Sequence, residues 1–205
     1  MLYQLAHILR DRFPYVWDVL GCVLSCLFAL RYDKQLAQIP ALLKRYQVTD
    51  AEGHTFCIEC LTQQYVKALV DMLAQQPEEA FTYFKPHGFA ETDIKKLIRD
   101  KGFLAFVVLC EHRVVGYVFQ RSFFWGKCYR GYLTDYRWRR KGINVLMNRC
   151  AADVAALMGM RVWGTIAPDN VASMRSAQAA CDVRIVQQLD SGDYLVEYLP
   201  KNPDD

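Results

Sequence analysis

The sequence Arg139-Arg140-Lys141-Gly142-Ile143-Asn144 lies between an apolar, strand-like segment and an amphipathic helix. Three cations precede a glycine, which lets backbone N–H groups come close to an oxyanion. The helix that begins there adds the positive end of its dipole. The six residues therefore predict a phosphate-binding loop, and a basic, solvated helix start is the alternative.

Strand-like and helix-like segments alternate on both sides of this junction from about residue 54 onward. The apolar spacing predicts strands at 55–61, 103–110, 113–119, 127–136, 161–166, 184–189 and 194–199, and helices at 63–76, 91–100, 143–158 and 170–180. This order predicts an α/β fold with a mixed (α+β) sheet.

Two further motifs flank the loop at a regular separation: Val114-Val115-Gly116-Tyr117-Val118, and Asn170-x-x-Ser173 at the start of a helix that follows a strand. In this order the three motifs resemble those of the GNAT (general N-acetyltransferase) superfamily over residues 54–200. The resemblance implies a GNAT-like acyl-CoA N-acyltransferase domain at residues 51–205, after an N-terminal hydrophobic helical extension at residues 1–50. The sequence departs from the family at three places. Asn144 stands where a small residue is usual, Ala177 where many members have a tyrosine, and Cys181-Asp182 where Gly-Phe is usual.

The resemblance implies an acetyl-CoA-dependent N-acetyltransferase. Such an enzyme moves an acetyl group from the thioester to a primary amine, by direct transfer in a ternary complex. The implied cofactor is acetyl-CoA or another acyl-CoA, and the acceptor is a small amine, an amino sugar or a protein amine. The alternatives are a non-catalytic acyl-CoA-binding module and a membrane-associated interaction module.

The same resemblance implies roles for individual residues. Leu133, Thr134 and Asp135 would line pantetheine and supply an N–H to the developing oxyanion, and Arg139, Arg140, Lys141, Gly142, Ile143 and Asn144 would clamp the pyrophosphate. Asn170 and Ser173 would lie against the arm of the cofactor. Asp135 and His87 are the candidates for the general base; the alternatives are an ion pair with Arg137 or Arg139 for the first, and a solvated turn for the second.

Composition limits the function classes further. The net charge of +3 is small and the cations are scattered outside residues 130–141, which disfavours a nucleic-acid footprint and favours a small anionic ligand. The eight cysteines lie mostly in apolar runs, which predicts reduced thiols and a cytoplasmic protein, possible membrane association aside. A bacterial source is a separate expectation. Cys57 and Cys60 lie in a predicted strand, where residues three apart face opposite ways, so no metal site is expected.

The N-terminal segment Phe13 to Leu30 carries one charged residue, Asp18, and is flanked by Arg10, Arg12, Arg31 and Lys34. No small-residue cleavage site follows it, which argues against a secretory signal. Three alternatives stay open: the segment packs on the domain or on a second subunit, lies in a membrane interface, or spans the membrane. Peripheral membrane contact or a homodimer through residues 1–50 is therefore one expectation.

Overall fold

The computed structural model describes residues 12–201 as helices, strands and connections in an alternating order. Residues 1–11 and 202–205 lie outside the described residues. They include Arg10, the start of the predicted extension at residues 1–50 and the end of the predicted domain at residues 51–205. The helices are α1 (Pro14–Leu43), α2 (Gln63–Ala74), α3 (Glu91–Leu97), α4 (Ile143–Leu157) and α5 (Val171–Ala180). The strands are β1 (Gln47–Thr49), β2 (Thr55–Cys60), β3 (Phe103–Cys110), β4 (Arg113–Phe123), β5 (Lys127–Thr134), β6 (Arg161–Ile166), β7 (Asp182–Gln188) and β8 (Tyr194–Leu199).

The eight strands form one sheet in the order β1-β2-β3-β4-β5-β6-β8-β7. Every neighbouring pair is antiparallel except β5 and β6, which are parallel and are joined through α4. Helices α1, α4 and α5 cover one face of the sheet, and α2 and α3 cover the other face. The predicted mixed α/β fold is confirmed, and the only parallel pair in the described sheet brackets the predicted phosphate loop.

Helix spacing explains why α2 and α4 form where the sequence predicts them. Val66, Leu69 and Leu73 are buried on one face of α2, as the 3.6-residue period requires. Met147 and Val154 are buried in the same way on α4, which packs against β4 and β5. Each helix therefore covers the sheet with the apolar stripe that predicted it.

The N-terminal region differs from the prediction of a helix and linker before the domain. Helix α1 runs through Pro40 to Leu43, with a non-helical Tyr32 in its middle (φ −113°, ψ 17°). Its second half is part of the core, because Tyr32, Ile39 and Leu43 are buried against α4 and the sheet. Residues 47–49 then form the edge strand β1. The packing therefore continues across the predicted boundary at residue 50.

A buried glutamate ties the last three strands together. The Arg161 Nε lies 2.7 Å from Glu197 Oε1, and the Arg184 guanidinium contacts Oε2. The bond from Arg161, together with that from Arg184, lowers the pKa of Glu197 below its usual 4.5. A carboxyl whose pKa is lowered by folding stabilises the protein above its unfolded pKa, and this stabilisation is lost as the pH falls through the folded value.

We expect Glu197→Gln to lower the melting temperature at pH 7 by roughly 2–8 °C, because the amide has one oxygen to accept from one arginine, and its NH2 group cannot accept from the other. The difference in melting temperature between the variant and wild type should shrink as the pH falls below 4.5, because the wild-type carboxyl is then neutralised and loses its charge, as in the variant. Differential scanning calorimetry across pH measures both effects. The exposed Glu78→Gln is the control. A pH-independent difference would show that the carboxylate charge is not what stabilises the strands.

Candidate active site

The parallel strands β5 and β6 separate after a short paired segment. They pair only over Lys127–Tyr129 and Arg161–Trp163, where the Arg161 N–H donates to the Gly126 carbonyl at 3.0 Å. Beyond these residues the described strands share no ladder, and a gap opens toward their carboxyl ends. The sheet therefore offers unpaired backbone groups to a ligand lying between β5 and β6.

The direction of the β5 backbone decides which amides face this gap. The Asp135 N–H donates to the Val115 carbonyl on β4 at 3.0 Å. Successive residues of a strand direct their N–H and C=O groups to opposite neighbours. The N–H groups of Tyr132 and Thr134 consequently face the gap, whereas those of Leu133 and Asp135 face β4.

The predicted phosphate loop lies at the open end of the gap. Gly142 adopts φ +77°, a conformation that favours glycine, and a Cβ added to it would meet no atom within 4 Å. Helix α4 follows at once, and its first turn is closed by the Leu146 N–H, which donates to the Gly142 carbonyl at 3.0 Å. Within residues 12–201, the N–H groups of residues 140–145 have no protein acceptor. They form a group of free donors at the positive end of a 15-residue helix.

Two contacts hold this helix start against the sheet. A Cβ on Gly116 would lie 3.2 Å from Ile143 Cγ2 and 3.0 Å from Val108 Cγ2, so the glycine on β4 makes room for the first residue of α4. The Thr134 hydroxyl donates to Asn144 Oδ1 at 2.5 Å. Asn144 therefore directs its side chain toward the end of β5, which explains how a larger residue is accommodated at this position.

The gap and the loop open into one cleft of about 990 Å³. Its lining includes nine of the residues predicted from the resemblance: Leu133, Thr134, Arg139, Arg140, Gly142, Ile143, Asn144, Asn170 and Ser173. At the start of α5, Asn170 Oδ1 accepts a hydrogen bond from the Ser173 N–H at 3.1 Å and caps that helix. The lining also carries charged side chains of both signs away from the loop: Glu79, Asp169, Asp193, Lys85 and Arg175.

Lys141 lies on the other side of the loop from this cleft. Its Nζ is 3.1 Å from Asp50 Oδ2 and 2.7 Å from Glu52 Oε2. Burial alone would raise the pKa of Asp50, but hydrogen bonds from the His54 N–H and the Lys141 ammonium lower it to about 2. Asp50, Glu52 and His54 are close enough to share a metal ion, but the Lys141 ammonium already contacts both carboxylates. The charge of Lys141 is thus directed away from the predicted pyrophosphate position.

The carboxylate of Asp135 forms an ion pair with Arg137, which is the alternative to a general base for this residue. It is buried, with Oδ2 2.7 Å from Arg137 Nη2 and Oδ1 3.1 Å from the Arg137 N–H. Burial would raise the pKa of Asp135, but the hydrogen bonds from Arg137 lower it on balance. A carboxylate held in this way is a weak base and faces the pocket beyond the loop rather than the cleft.

His87 lies in an aromatic cluster outside the cleft lining. Its Nε2 is 3.0 Å from the Tyr117 hydroxyl, and its ring packs edge-on against Phe103 and Phe119 at centroid distances of 5.8 and 5.6 Å. Burial lowers the pKa of His87, so the ring is neutral near pH 7. The His87 side chain is therefore packed among aromatic rings, and neither a solvated turn nor a base above the acceptor cleft describes its position.

Two residues of the cleft have no counterpart in the sequence-based prediction. The Tyr132 hydroxyl reaches from β5 to α5, 2.9 Å from Ser173 Oγ and 3.2 Å from Ser176 Oγ. Arg130, 7% exposed, lies where the strands separate, with its Cζ 3.4 Å from the centroid of the Tyr198 ring. Its Nε has no acceptor, and no carboxylate of the described chain lies within 4 Å of it. The sequence signal that could have identified both residues is the alternation of polar side chains along a central strand, at Arg130, Tyr132 and Thr134.

Comparison with solved structures identifies the fold as that of the GNAT acetyltransferases. The GNAT domain of S. lividans PAT matches with a TM-score of 0.64 at 14% identity, over 76% of this chain and 98% of that one. Mycobacterium smegmatis RimJ in complex with CoA-disulfide matches with a TM-score of 0.61 at 17% identity, over 75% and 85%. PaiA N-acetyltransferase from Thermoplasma acidophilum in complex with coenzyme A matches with a TM-score of 0.60 at 10% identity, over 72% and 99%. No protein-family model and no curated protein sequence gives a significant match.

Proposed function

We propose that this protein is an acetyl-CoA-dependent N-acetyltransferase that transfers the acetyl group directly to a primary amine in a ternary complex. One observation carries the proposal: the gap between β5 and β6 leads to the free amides of residues 140–145. The neighbours with coenzyme A or CoA-disulfide bound share this fold and support the cofactor class. The acceptor is a small amine, an amino sugar or a protein amine.

The cofactor would lie along the cleft with its diphosphate at the start of α4. The amides of residues 140–145 and the exposed guanidinium groups of Arg139 and Arg140 would bind the phosphate oxygens. Leu133 and Thr134 would line the pantetheine arm, and the Tyr132 and Thr134 N–H groups would be its hydrogen-bond donors. Asn170 and Ser173 would contact the arm from α5. In this arrangement Lys141 and Asp135 support the loop instead of contacting the cofactor.

Amide formation needs little covalent chemistry from the protein. The neutral amine attacks the thioester carbon, a C–N bond forms, the C–S bond breaks, and the nitrogen loses a proton while the thiolate gains one. Positioning of two bound reactants supplies much of the acceleration. A β5 amide facing the gap would stabilise the charge that develops on the carbonyl oxygen.

Tyr132 is our candidate for the proton donor to the thiolate. Its hydroxyl lies within the gap lining, beside the serine hydroxyls of Ser173 and Ser176, which can position it. Ala177, where the family resemblance leads one to expect a tyrosine, is buried and offers no proton. The phenol of Tyr132 on β5 would then do the work of the tyrosine that the family resemblance leads one to expect on α5. We assign no general base, because neither Asp135 nor His87 lies at the cleft.

Three acidic side chains in the lining of the cleft would contact a cationic acceptor: Glu79, Asp169 and Asp193. Asp169 accepts a hydrogen bond from the Tyr83 hydroxyl at 2.8 Å, which joins two of the segments that carry these acids. Lys85 and Arg175 line the same cleft and would contact an anionic group, so the lining offers charges of both signs to an acceptor.

A non-catalytic acyl-CoA-binding module is the second candidate, favoured by the alanine at position 177. Isothermal titration with acetyl-CoA, followed by a thiol-release assay across a panel of amines, distinguishes the two. The enzyme proposal predicts micromolar to sub-millimolar binding and thiol release that depends on both acetyl-CoA and amine. Binding without release from any amine would favour the module, and no binding at millimolar acetyl-CoA would contradict both.

A further inference from the structure

Helix α1 lies along the edge of the domain through residues spaced seven apart. Asp18 Oδ1 is 3.5 Å from Lys96 Nζ, the Ser25 hydroxyl accepts from the Lys101 N–H at 2.8 Å, and the Tyr32 hydroxyl donates to the Phe124 carbonyl at 3.4 Å. Seven residues correspond to about two turns, so these contacts share one face of the helix. The first half of α1 therefore contacts the domain at Asp18 and Ser25, while residues 15–24 are all exposed.

The opposite face of the same half is apolar and exposed. At about 100° per residue, Val16, Leu20, Val23, Leu27 and Leu30 lie on the side facing away from Ser25. Between 41% and 78% of the surface of each is exposed. The stripe is about 21 Å long. A helix that is apolar on every side is normally covered on every side, so this face needs an apolar partner.

Aromatic side chains and cations border this stripe. Phe13 and Tyr15 are exposed at its beginning, and Trp125 is 61% exposed at the turn between β4 and β5, near its end. The Arg31 guanidinium lies 4.9 Å from the centroid of the Phe124 ring in the same turn. Three exposed cations on or just before α1 flank the stripe, Arg12, Arg31 and Lys34, and Asp33 is an exposed acid among them. Lys96 and Lys101 lie at the opposite face of the helix, where they contact Asp18 and Ser25. An apolar strip with aromatic ends and a basic rim is complementary to an anionic bilayer surface.

We propose that this face of α1, together with the Trp125 turn, docks onto an anionic lipid bilayer with the helix lying in the plane of the interface. Helix α1 is also long and apolar enough to cross a membrane. Core helices of soluble proteins and N-terminal signal sequences meet the same criterion of length and composition. Crossing would break the contacts of Asp18, Ser25 and Tyr32 with the domain. Pairing with a second copy would bring the two basic rims together, which like-charge repulsion disfavours.

Docking in this orientation leaves the cofactor site accessible from water. The Trp125 turn immediately precedes β5, whereas the phosphate loop follows the other end of that strand. The length of β5 separates the two by about 23 Å. A soluble cofactor could therefore enter while the protein is bound to lipid, and the proposal does not depend on the identity of the reaction.

Vesicle flotation of the full chain tests the proposal. We expect recovery with vesicles that contain phosphatidylglycerol to exceed recovery with pure phosphatidylcholine by about tenfold or more, and to fall as salt is raised. Val23→Asp with Leu27→Asp should reduce recovery by about tenfold or more, because two carboxylates would enter the apolar boundary. Ile185→Asp, at an exposed apolar residue of β7, is the matched control and should float like wild type.

Three outcomes would overturn the proposal. One is equal flotation of wild type and the double variant, with both folded by circular dichroism. Another is resistance of the bound protein to extraction at alkaline pH, which indicates a spanning helix. The last is a dimer in light scattering that the double variant converts to a monomer while wild type fails to float. As an independent check that leaves the apolar stripe unchanged, Arg31→Glu with Lys34→Glu should weaken flotation on anionic vesicles only.

Discussion

Gly142→Asp is expected to weaken acetyl-CoA binding by roughly 10- to 100-fold. The glycine has φ +77°, and an L-residue pays about 1–2 kcal/mol to adopt this region, so the loop would relax away from the conformation in which its amides converge. The added carboxylate would also lie where the diphosphate is proposed to bind, since the space beyond the missing Cβ is open. Isothermal titration measures the loss directly.

Gly159→Asp provides a matched control for backbone strain. Gly159 has φ +62°, follows the other end of α4, and likewise has no atom within 4 Å of an added Cβ. Both variants should lose stability to a similar extent, but Gly159→Asp should bind acetyl-CoA like wild type. Equal affinity of the Gly142 variant and wild type would mean that the cofactor is not held at this loop.

Tyr132→Phe is expected to lower kcat by about 100-fold while leaving the affinity for acetyl-CoA nearly unchanged. The substitution removes one hydroxyl, which contacts Ser173 and Ser176, and retains the ring that packs beside α5. A loss of rate without a loss of affinity is the result expected for a proton donor to the departing thiolate. Steady-state thiol release measures the rate, and isothermal titration measures the affinity.

Tyr129→Phe is the control for this prediction, because Tyr129 lies on the opposite face of β5 and is exposed. It should retain the wild-type kcat and the wild-type affinity for acetyl-CoA. A Tyr132 variant with wild-type kcat would exclude the phenol as the donor. A parallel loss of kcat and cofactor affinity would indicate that Tyr132 only shapes the cleft.

The elements around the phosphate loop were the most predictable part of the chain. The β5, loop and α4 succession combines a strand pattern, a glycine with positive φ and a strongly periodic helix, and all three signals are local. Local pattern and backbone conformation agree there, so the sequence predicts both the elements and their order. The gap between β5 and β6 was not predictable in this way, because no local signal records where two strands stop pairing.

The direction of side chains at the loop was not predictable in the same way. Lys141 and its neighbour Arg140 have similar chemistry, but Lys141 turns to Asp50 and Glu52, which lie some ninety residues earlier in the chain. The position of His87 depends equally on distant rings, those of Phe103 and Tyr117. Such pairings are set by tertiary packing, and a single sequence carries no spacing rule for them.

The N-terminal region shows the same limit at a larger scale. Composition predicts an apolar helix, but an apolar helix is compatible with a core, a second subunit or a membrane. The three contacts of Asp18, Ser25 and Tyr32 become visible only when the partner segments around Lys96, Lys101 and Phe124 are placed beside them. The short edge strand at residues 47–49 was missed because three residues are too few for a periodic signal.

The central claim is that the amides at the start of α4 bind the diphosphate of the cofactor. Backbone hydrogen exchange with and without coenzyme A, and with pantetheine as a ligand that lacks the diphosphate, tests it most directly. The account predicts that coenzyme A slows exchange at residues 140–145 and at Thr134, whereas pantetheine slows it at Thr134 without affecting residues 140–145. Unchanged exchange at residues 140–145 under saturating coenzyme A would contradict it.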